Sequence, residues 1–98
     1  MTEYFDEVDE NDRVLGEITR EEAHKENIRH RAVHVFVQNT RGQWLLQRRS
    51  SGKDLDPLKW TTSCSGHVDA GETYIQAAIR ECSEELRIKI SECDLKEI

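Results

Sequence analysis

The segment from Gly66 to Ile88 restricts the fold more than any other part of this 98-residue chain. Thr73 is a good helix N-cap, and Gln76 stands three residues later, the arrangement of a capping box. No Gly or Pro interrupts the chain from there to Leu86, so the pattern predicts a helix of about three to four turns. Ile75, Ala78, Ile79, Cys82 and Leu86 recur at helical spacing and make one apolar stripe. Glu81, Glu84 and Glu85 stand at i, i+3 and i+4 and share a second face beside it. Ahead of the helix, Gly66 and Gly71 bracket a loop whose backbone can approach a metal or a phosphate without an intervening Cβ.

Three carboxylates this close repel one another, by a few tenths of a kcal/mol per pair on a helix. Solvent tolerates that cost and a bound cation reverses it. In a chain with 35% charged residues, the three glutamates alone read equally well as a solvated face. Their spacing back to Glu72 and Gly66 shifts the balance toward a hard, oxygen-rich site for Mg²⁺ or Mn²⁺, completed by substrate phosphates.

The same run resembles the Nudix box, G-x5-E-x7-R-E-U-x-E-E-x-G-U with U aliphatic. Gly66, Glu72, Arg80, Glu81, Glu84, Glu85 and Ile88 match it. Cys82 stands where an aliphatic is usual and packs as a small hydrophobe. Arg87 stands where Gly is usual, so the turn closing the helix is expected to be strained or differently shaped. The resemblance implies an α+β fold of α/β/α sandwich type with a mixed sheet. It also implies hydrolysis of a nucleoside diphosphate linked to another moiety, assisted by Mg²⁺ or Mn²⁺. Implied metal ligands are Glu81, Glu84 and Glu85, with the Gly66 carbonyl; one glutamate orients or deprotonates the attacking water. Arg80 is expected to pair with Glu72 and brace the loop against the helix.

Fourteen basic and 20 acidic side chains leave a net charge of −6, which argues against nucleic acid or an anionic membrane as partner. No apolar run approaches the roughly 20 residues of a membrane span, and the acidic N-terminus does not resemble a signal peptide. Cys64, Cys82 and Cys93 lack metal-motif spacing and read as reduced thiols of a cytoplasmic protein. Nudix domains generally run well beyond this length. The chain therefore reads as one domain over 1–98 that represents the N-terminal part of the fold, without the later strands and second helix. Uncovered sheet edges then suggest self-association.

Tyr4–Val8 and Arg13–Glu17 flank Glu10-Asn11-Asp12 and read as a hairpin. Thr19 with Glu22 makes another capping box, which starts a short helix from Arg20 to about Lys25. Arg31–Gln38 is apolar on both faces, as expected of a central strand covered twice. Asn39–Gly42 is a turn, Gln43–Arg49 the antiparallel return, and Ser50–Leu58 a polar loop. Trp60–Ser65 leads into the glycine loop as a strand, and Ile88–Ile90 starts another.

Arg48, Arg49 and Lys53 are candidate phosphate-binding cations, although Asp54 and Asp56 dilute the patch and an ordinary basic surface explains it as well. Trp60 at a strand start is expected in the core before a base-stacking role.

The stretches Asn39–Arg49 and Trp60–His67 are also similar to isopentenyl-diphosphate isomerases, which share the scaffold. Those enzymes imply an acid–base cysteine directly before Gly-His, where this chain has Ser65, with Cys64 one residue earlier. A one-residue slip on an extended segment turns the side chain to the opposite face. The isomerases also imply a histidine-held metal, and His24, His30 and His67 sit near those positions. His34 is expected as packed core. The isomerase-like enzyme is thus the alternative to the hydrolase, with a non-catalytic ligand-binding module or inactive fragment as the third reading.

Overall fold

The computed structural model describes residues 2–48 and 60–97. Strand β1 (Tyr4–Val8) and strand β2 (Val14–Thr19) pair antiparallel, with Phe5 opposite Ile18 and a bulge at Glu7/Val8. Asp9 closes the hairpin by accepting from the Asn11 and Arg13 amides, and its carbonyl accepts from the amide of Asp12, which sits at φ +64°. Helix α1 (Arg20–Lys25) follows directly, started by the expected Thr19–Glu22 capping box. It lays Ala23 against Phe5 and Ile18, with Ile28 closing this small core.

Strand β3 (Ala32–Val35) continues after a break at Phe36 into β4 (Val37–Gln38). Across the Asn39–Gly42 turn, β4 pairs with β5 (Trp44–Leu45), and β6 (Gln47–Arg48) pairs with β7 (Trp60–Thr61). Strand β8 (Cys64–His67) lies antiparallel to β3, with Val33 opposite Gly66. Every strand pair among the described residues is antiparallel. Helix α2 (Tyr74–Leu86) starts at the expected Thr73–Gln76 capping box and packs on β8 and β3, burying Val33, Val68 and Ala77 together. No helix among the described residues is long and apolar enough to cross a membrane.

Four expectations need correction. Ile88–Ile90 is irregular backbone leading to a 3₁₀ turn at Glu92–Asp94, because no strand among the described residues lies beside it to complete a ladder. Only one face of β3 is covered: Val33 is buried under α2, whereas Ala32, His34 and Phe36 are exposed, so His34 is not core. Trp60 is 66% exposed rather than packed inside. The buried face of α2 is Ala77, Ala78, Glu81 and Cys82, rotated from the predicted stripe, with Ile75 42% exposed. Close helix–strand approach explains the rotation, since alanines, a thiol and a glycine meet there in place of branched side chains.

The hairpin is tied to the rest of the chain by backbone and side-chain bonds. The Ala70 amide donates to the Tyr4 carbonyl at 2.8 Å and the Gly71 amide to Asp6 at 2.9 Å. Asp12 accepts from Arg31 at 2.8 Å and from the Tyr74 hydroxyl at 2.9 Å, and the Arg31 guanidinium lies over the Tyr74 ring. These bonds set β1 and α1 against the loop that leads into α2.

Arg87 ends α2 in the left-handed region, at φ +56° and ψ +33°. A side chain there costs about 1 kcal/mol relative to glycine. Arg87→Gly is therefore expected to raise stability by about 1 kcal/mol in urea denaturation, and an unchanged or lower midpoint would contradict that strain.

Candidate functional site

Arg80 is the hub of the site. It projects from the middle of α2 and meets the loop after β8. Its Nε and Nη2 fork onto both oxygens of Glu72, each at 2.9 Å, and Nη2 also donates to the His67 carbonyl at 2.9 Å. Nη1 donates to Glu81 at 2.7 Å and to Glu84 at 3.3 Å. Asp69 is within 3.6 Å of Nε. The planar guanidinium suits this task because its donors point in fixed directions that match a carboxylate. Glu72 also accepts from the Asp69 amide at 3.1 Å, which closes the loop upon itself.

The carboxylates respond differently to the same arginine. The Arg80 fork holds Glu72 below the usual carboxylate range. Glu81 goes the other way: burial pushes it up, and its bond to Arg80 only partly opposes this. Burial likewise raises Asp69. Arg80 itself is held far above its usual range, chiefly by Glu72.

Gly66 lies within β8, not in an open loop, and the Glu81 carboxyl group occupies the place a Cβ would take on it. The glycine therefore serves close approach of α2 to β8. Gly66→Ala is expected to destabilise the fold by about 2 kcal/mol and to expel Glu81 from its seat. Combining it with Glu81→Asp, which withdraws one methylene, should recover part of the loss in urea denaturation; no recovery would place the strain elsewhere.

Glu81, Glu84 and Glu85 line an open cleft of about 250 Å³ together with Gly66, Asp69 and Arg80. Glu3, Phe5, Arg20, Ser65 and His67 complete its lining. Five carboxylates and two guanidiniums face this space, so it attracts cations and repels a bare phosphate. Glu85 takes no hydrogen bond or ion pair among the described residues, whereas Glu81 and Glu84 share one nitrogen of Arg80. The donor set, with Glu81 in a glycine-shaped seat and Glu85 uncommitted, fits a hard divalent cation.

The predicted acidic residues and Arg80 are thus brought together. Of the candidate phosphate-binding cations, Arg48 has its backbone in β6, while its side chain, Arg49 and Lys53 lie outside the described residues. Sequence reasoning missed Glu3, Phe5, Arg20 and Asp69. Asp69 stands inside the matched run but at a variable position, and the other three come from a hairpin and helix with no motif.

On the face of β8 away from α2, three histidines converge. One ring nitrogen of each of His24, His30 and His67 lies within 4.8 Å of the others. Phe5 stacks on His30 at 5.2 Å and leans on His67 at 4.8 Å. His30 Nδ1–H donates to the Ile28 carbonyl at 2.7 Å, which leaves Nε2 as the free acceptor. His67 Nδ1 is buried and takes no hydrogen bond among the described residues. Three imidazoles from α1, the approach to β3, and β8 are a set suited to a transition metal.

Burial, with His30 and His24 nearby, holds His67 below the ordinary histidine value of 6.5. Between its lowered folded pKa and 6.5 the unfolded chain binds more protons at this site. His67 thus contributes stability that is complete above 6.5 and is lost as pH falls through 6.5 toward the folded value. With chelator present, urea denaturation at about pH 7.5 and about pH 5.5 should show this loss, reduced in His67→Asn. An equal loss in the variant would assign the effect to other groups.

Comparison with known proteins agrees with the geometry. Residues 28–97 match the family model described as NUDIX domain. An uncharacterized Nudix hydrolase of Yersinia pestis is 38% identical over 88 residues, covering 90% of this chain and 48% of that protein. A Nudix hydrolase of Deinococcus radiodurans is 41% identical, covering 90% and 52%. An isopentenyl-diphosphate Delta-isomerase of Pectobacterium atrosepticum is 39% identical, covering 84% and 46%. A crystal structure of a Deinococcus radiodurans protein superposes with a TM-score of 0.76 at 38% identity, covering 89% of this chain and 54% of that one. The chain spans about half the length of the relatives it matches.

Proposed function

The chain belongs to the Nudix family, and from that premise we propose that it hydrolyses the diphosphate bond of a nucleoside diphosphate linked to another moiety, with Mg²⁺ or Mn²⁺ held by Glu81, Glu84 and Glu85 beside Gly66. The observation that carries this reading is the seating of the Glu81 carboxyl group against Gly66, with Arg80 fixing Glu72, Glu81 and Glu84 in one network. A bound divalent ion supplies charge neutralisation on the phosphates and lowers the pKa of a water. The chain's own residues do the rest. Glu85, uncommitted and open to the cleft, is the ligand or base that meets the water side. Glu72 acts at a distance, by holding Arg80 and through it the glutamates. Arg48, Arg49 and Lys53 remain the proposed contacts to the substrate phosphates. Phe36 and Trp44, in contact edge to face and both exposed, support the further reading that the chain associates with another copy of itself through an exposed sheet edge; a monomeric mass in light scattering would count against it.

The isomerase reading gains one observation, the three-histidine cluster. Against it stands the thiol position. Cys64 faces α2, with its sulfur 3.4 Å from that of Cys82, and Ser65 occupies the cleft side. Serine is a poor replacement for a thiol in proton transfer. The test is a screen of nucleoside di- and triphosphates, dinucleotides, nucleotide sugars and isopentenyl diphosphate, with Mg²⁺ or Mn²⁺ and with chelator. Metal-dependent cleavage of a diphosphate supports the hydrolase. Allylic product without cleavage overturns it in favour of the isomerase, and no turnover on any substrate assigns a binding module.

A further inference from the structure

Behind the cleft, on the far side of β8 from the histidines, two thiols face each other with no role in the hydrolase reading. Cys64 and Cys82 are buried, and their sulfurs are 3.4 Å apart. They join β8 to α2, two residues along the strand from Gly66 and one along the helix from Glu81, where the two elements already touch. The third cysteine, Cys93, is exposed and lies beyond α2.

Three features bear on reactivity. Proximity is met in advance: closing a disulfide requires the sulfurs to approach from 3.4 Å to about 2.05 Å, without drawing together distant parts of the chain. Access is provided by the end of α2. Cys82 lies near the C-terminus of that helix, which stops at the strained Arg87 and carries no basic side chain in its last turn. Helix ends open locally at low free energy, and a strained cap lowers it further. Burial supplies selectivity. Both thiols are enclosed between β8 and α2, so the closed pair is shielded from attack and reacts on opening.

We propose that Cys64 and Cys82 form a two-electron redox site, which a peroxide converts to a disulfide that ties α2 to β8. In the first step the Cys82 thiol gives up its proton and its sulfur attacks a peroxide oxygen; the O–O bond breaks, a sulfenic acid forms, and the displaced hydroxide takes that proton and leaves as water. In the second, the Cys64 sulfur loses its proton and attacks the sulfenic sulfur; the S–S bond forms, the S–O bond breaks, and the displaced hydroxide leaves with that proton as a second water. Two thiols lose two electrons and two protons, and hydrogen peroxide is reduced to two waters. The link closes the loop that contains Gly66, Glu72 and Arg80, so it cross-links the frame of the cleft without using any of its carboxylates.

The test is peroxide treatment of the folded chain carrying Cys93→Ser, which removes the exposed competing thiol. Mass spectrometry should show a loss of about 2 Da and a peptide linking Cys64 to Cys82, reversed by dithiothreitol. The oxidised protein should melt about 10 °C or more above the reduced one, because the closed loop restricts the unfolded chain. Arg87→Gly, which relaxes the helix end, should slow the cross-linking several-fold. Intermolecular dimers as the only disulfide product, progression to sulfinic acid without a link, or a rate indifferent to Arg87→Gly would overturn the proposal. Metal-dependent hydrolysis enters none of these readouts, so failure here is distinct from failure of the hydrolase reading.

Discussion

Arg80→Met is expected to cost about 3 kcal/mol of stability, measured by urea denaturation near neutral pH, a more than 100-fold change in the folding equilibrium. The side chain of Arg80 is 27% exposed, and those of its partners Glu72 and Glu81 are 15% and 11% exposed. Removing the guanidinium leaves two largely desolvated carboxylates and the His67 carbonyl without their shared donor. Methionine replaces much of the hydrophobic stem, so the loss reports the charged fork and not a cavity. Arg80→Lys should recover only part, since an ammonium cannot bond both Glu72 oxygens in plane. Adding Glu72→Gln to Arg80→Met should be far less than additive. A cost under about 1 kcal/mol would mean that solvent already screens the network.

Glu85→Gln is expected to lower metal-dependent hydrolysis by roughly 100-fold or more, on the order of 2.7 kcal/mol of transition-state stabilisation. Among the three glutamates, Glu85 is the one not held by Arg80. Its charge is therefore the most available to a cation, and the amide removes that charge at nearly constant shape. Mn²⁺ affinity, read by the paramagnetic signal of the free ion, should fall in parallel. Glu84→Gln should cost less affinity, because Glu84 already spends part of its charge on Arg80 at 3.3 Å. Wild-type rates in both variants would sink the assignment of these residues to the metal.

Local rules explain how much of this was legible. Both capping boxes, at Thr19 and Thr73, are contained in four consecutive residues and form as read. The Arg80–Glu72 pair, expected from the resemblance to the Nudix box, spans one loop and two turns of a helix and forms. The α+β class holds, and the strained Arg87 turn appears where a glycine was expected. What failed depended on neighbours. Arg31–Gln38 carries apolar residues on both faces, yet composition cannot say whether a second layer covers them, and here Phe36 and His34 are exposed. The stripe on α2 was displaced because periodicity ranks residues by hydrophobicity, whereas the tight contact at Gly66 selects them by size and admits Glu81.

The sequence by itself determined the acidic spacing, the helix that displays it and the arginine that organises it, because each rests on contacts between residues close in the chain. Only the tertiary structure decided the rest. The antiparallel pairing of β3 with β8 and the docking of the hairpin bring one ring nitrogen each of His24, His30 and His67 within 4.8 Å of the others, and place Arg20, Glu3 and Phe5 in the same cleft as the glutamates. Those contacts join segments far apart in the chain, and they depend on which face of β8 each side chain takes. Cys64 and Gly66 face the helix, Ser65 and His67 the other side of the strand, and that alternation separates the thiol pair from the histidine cluster within four consecutive residues.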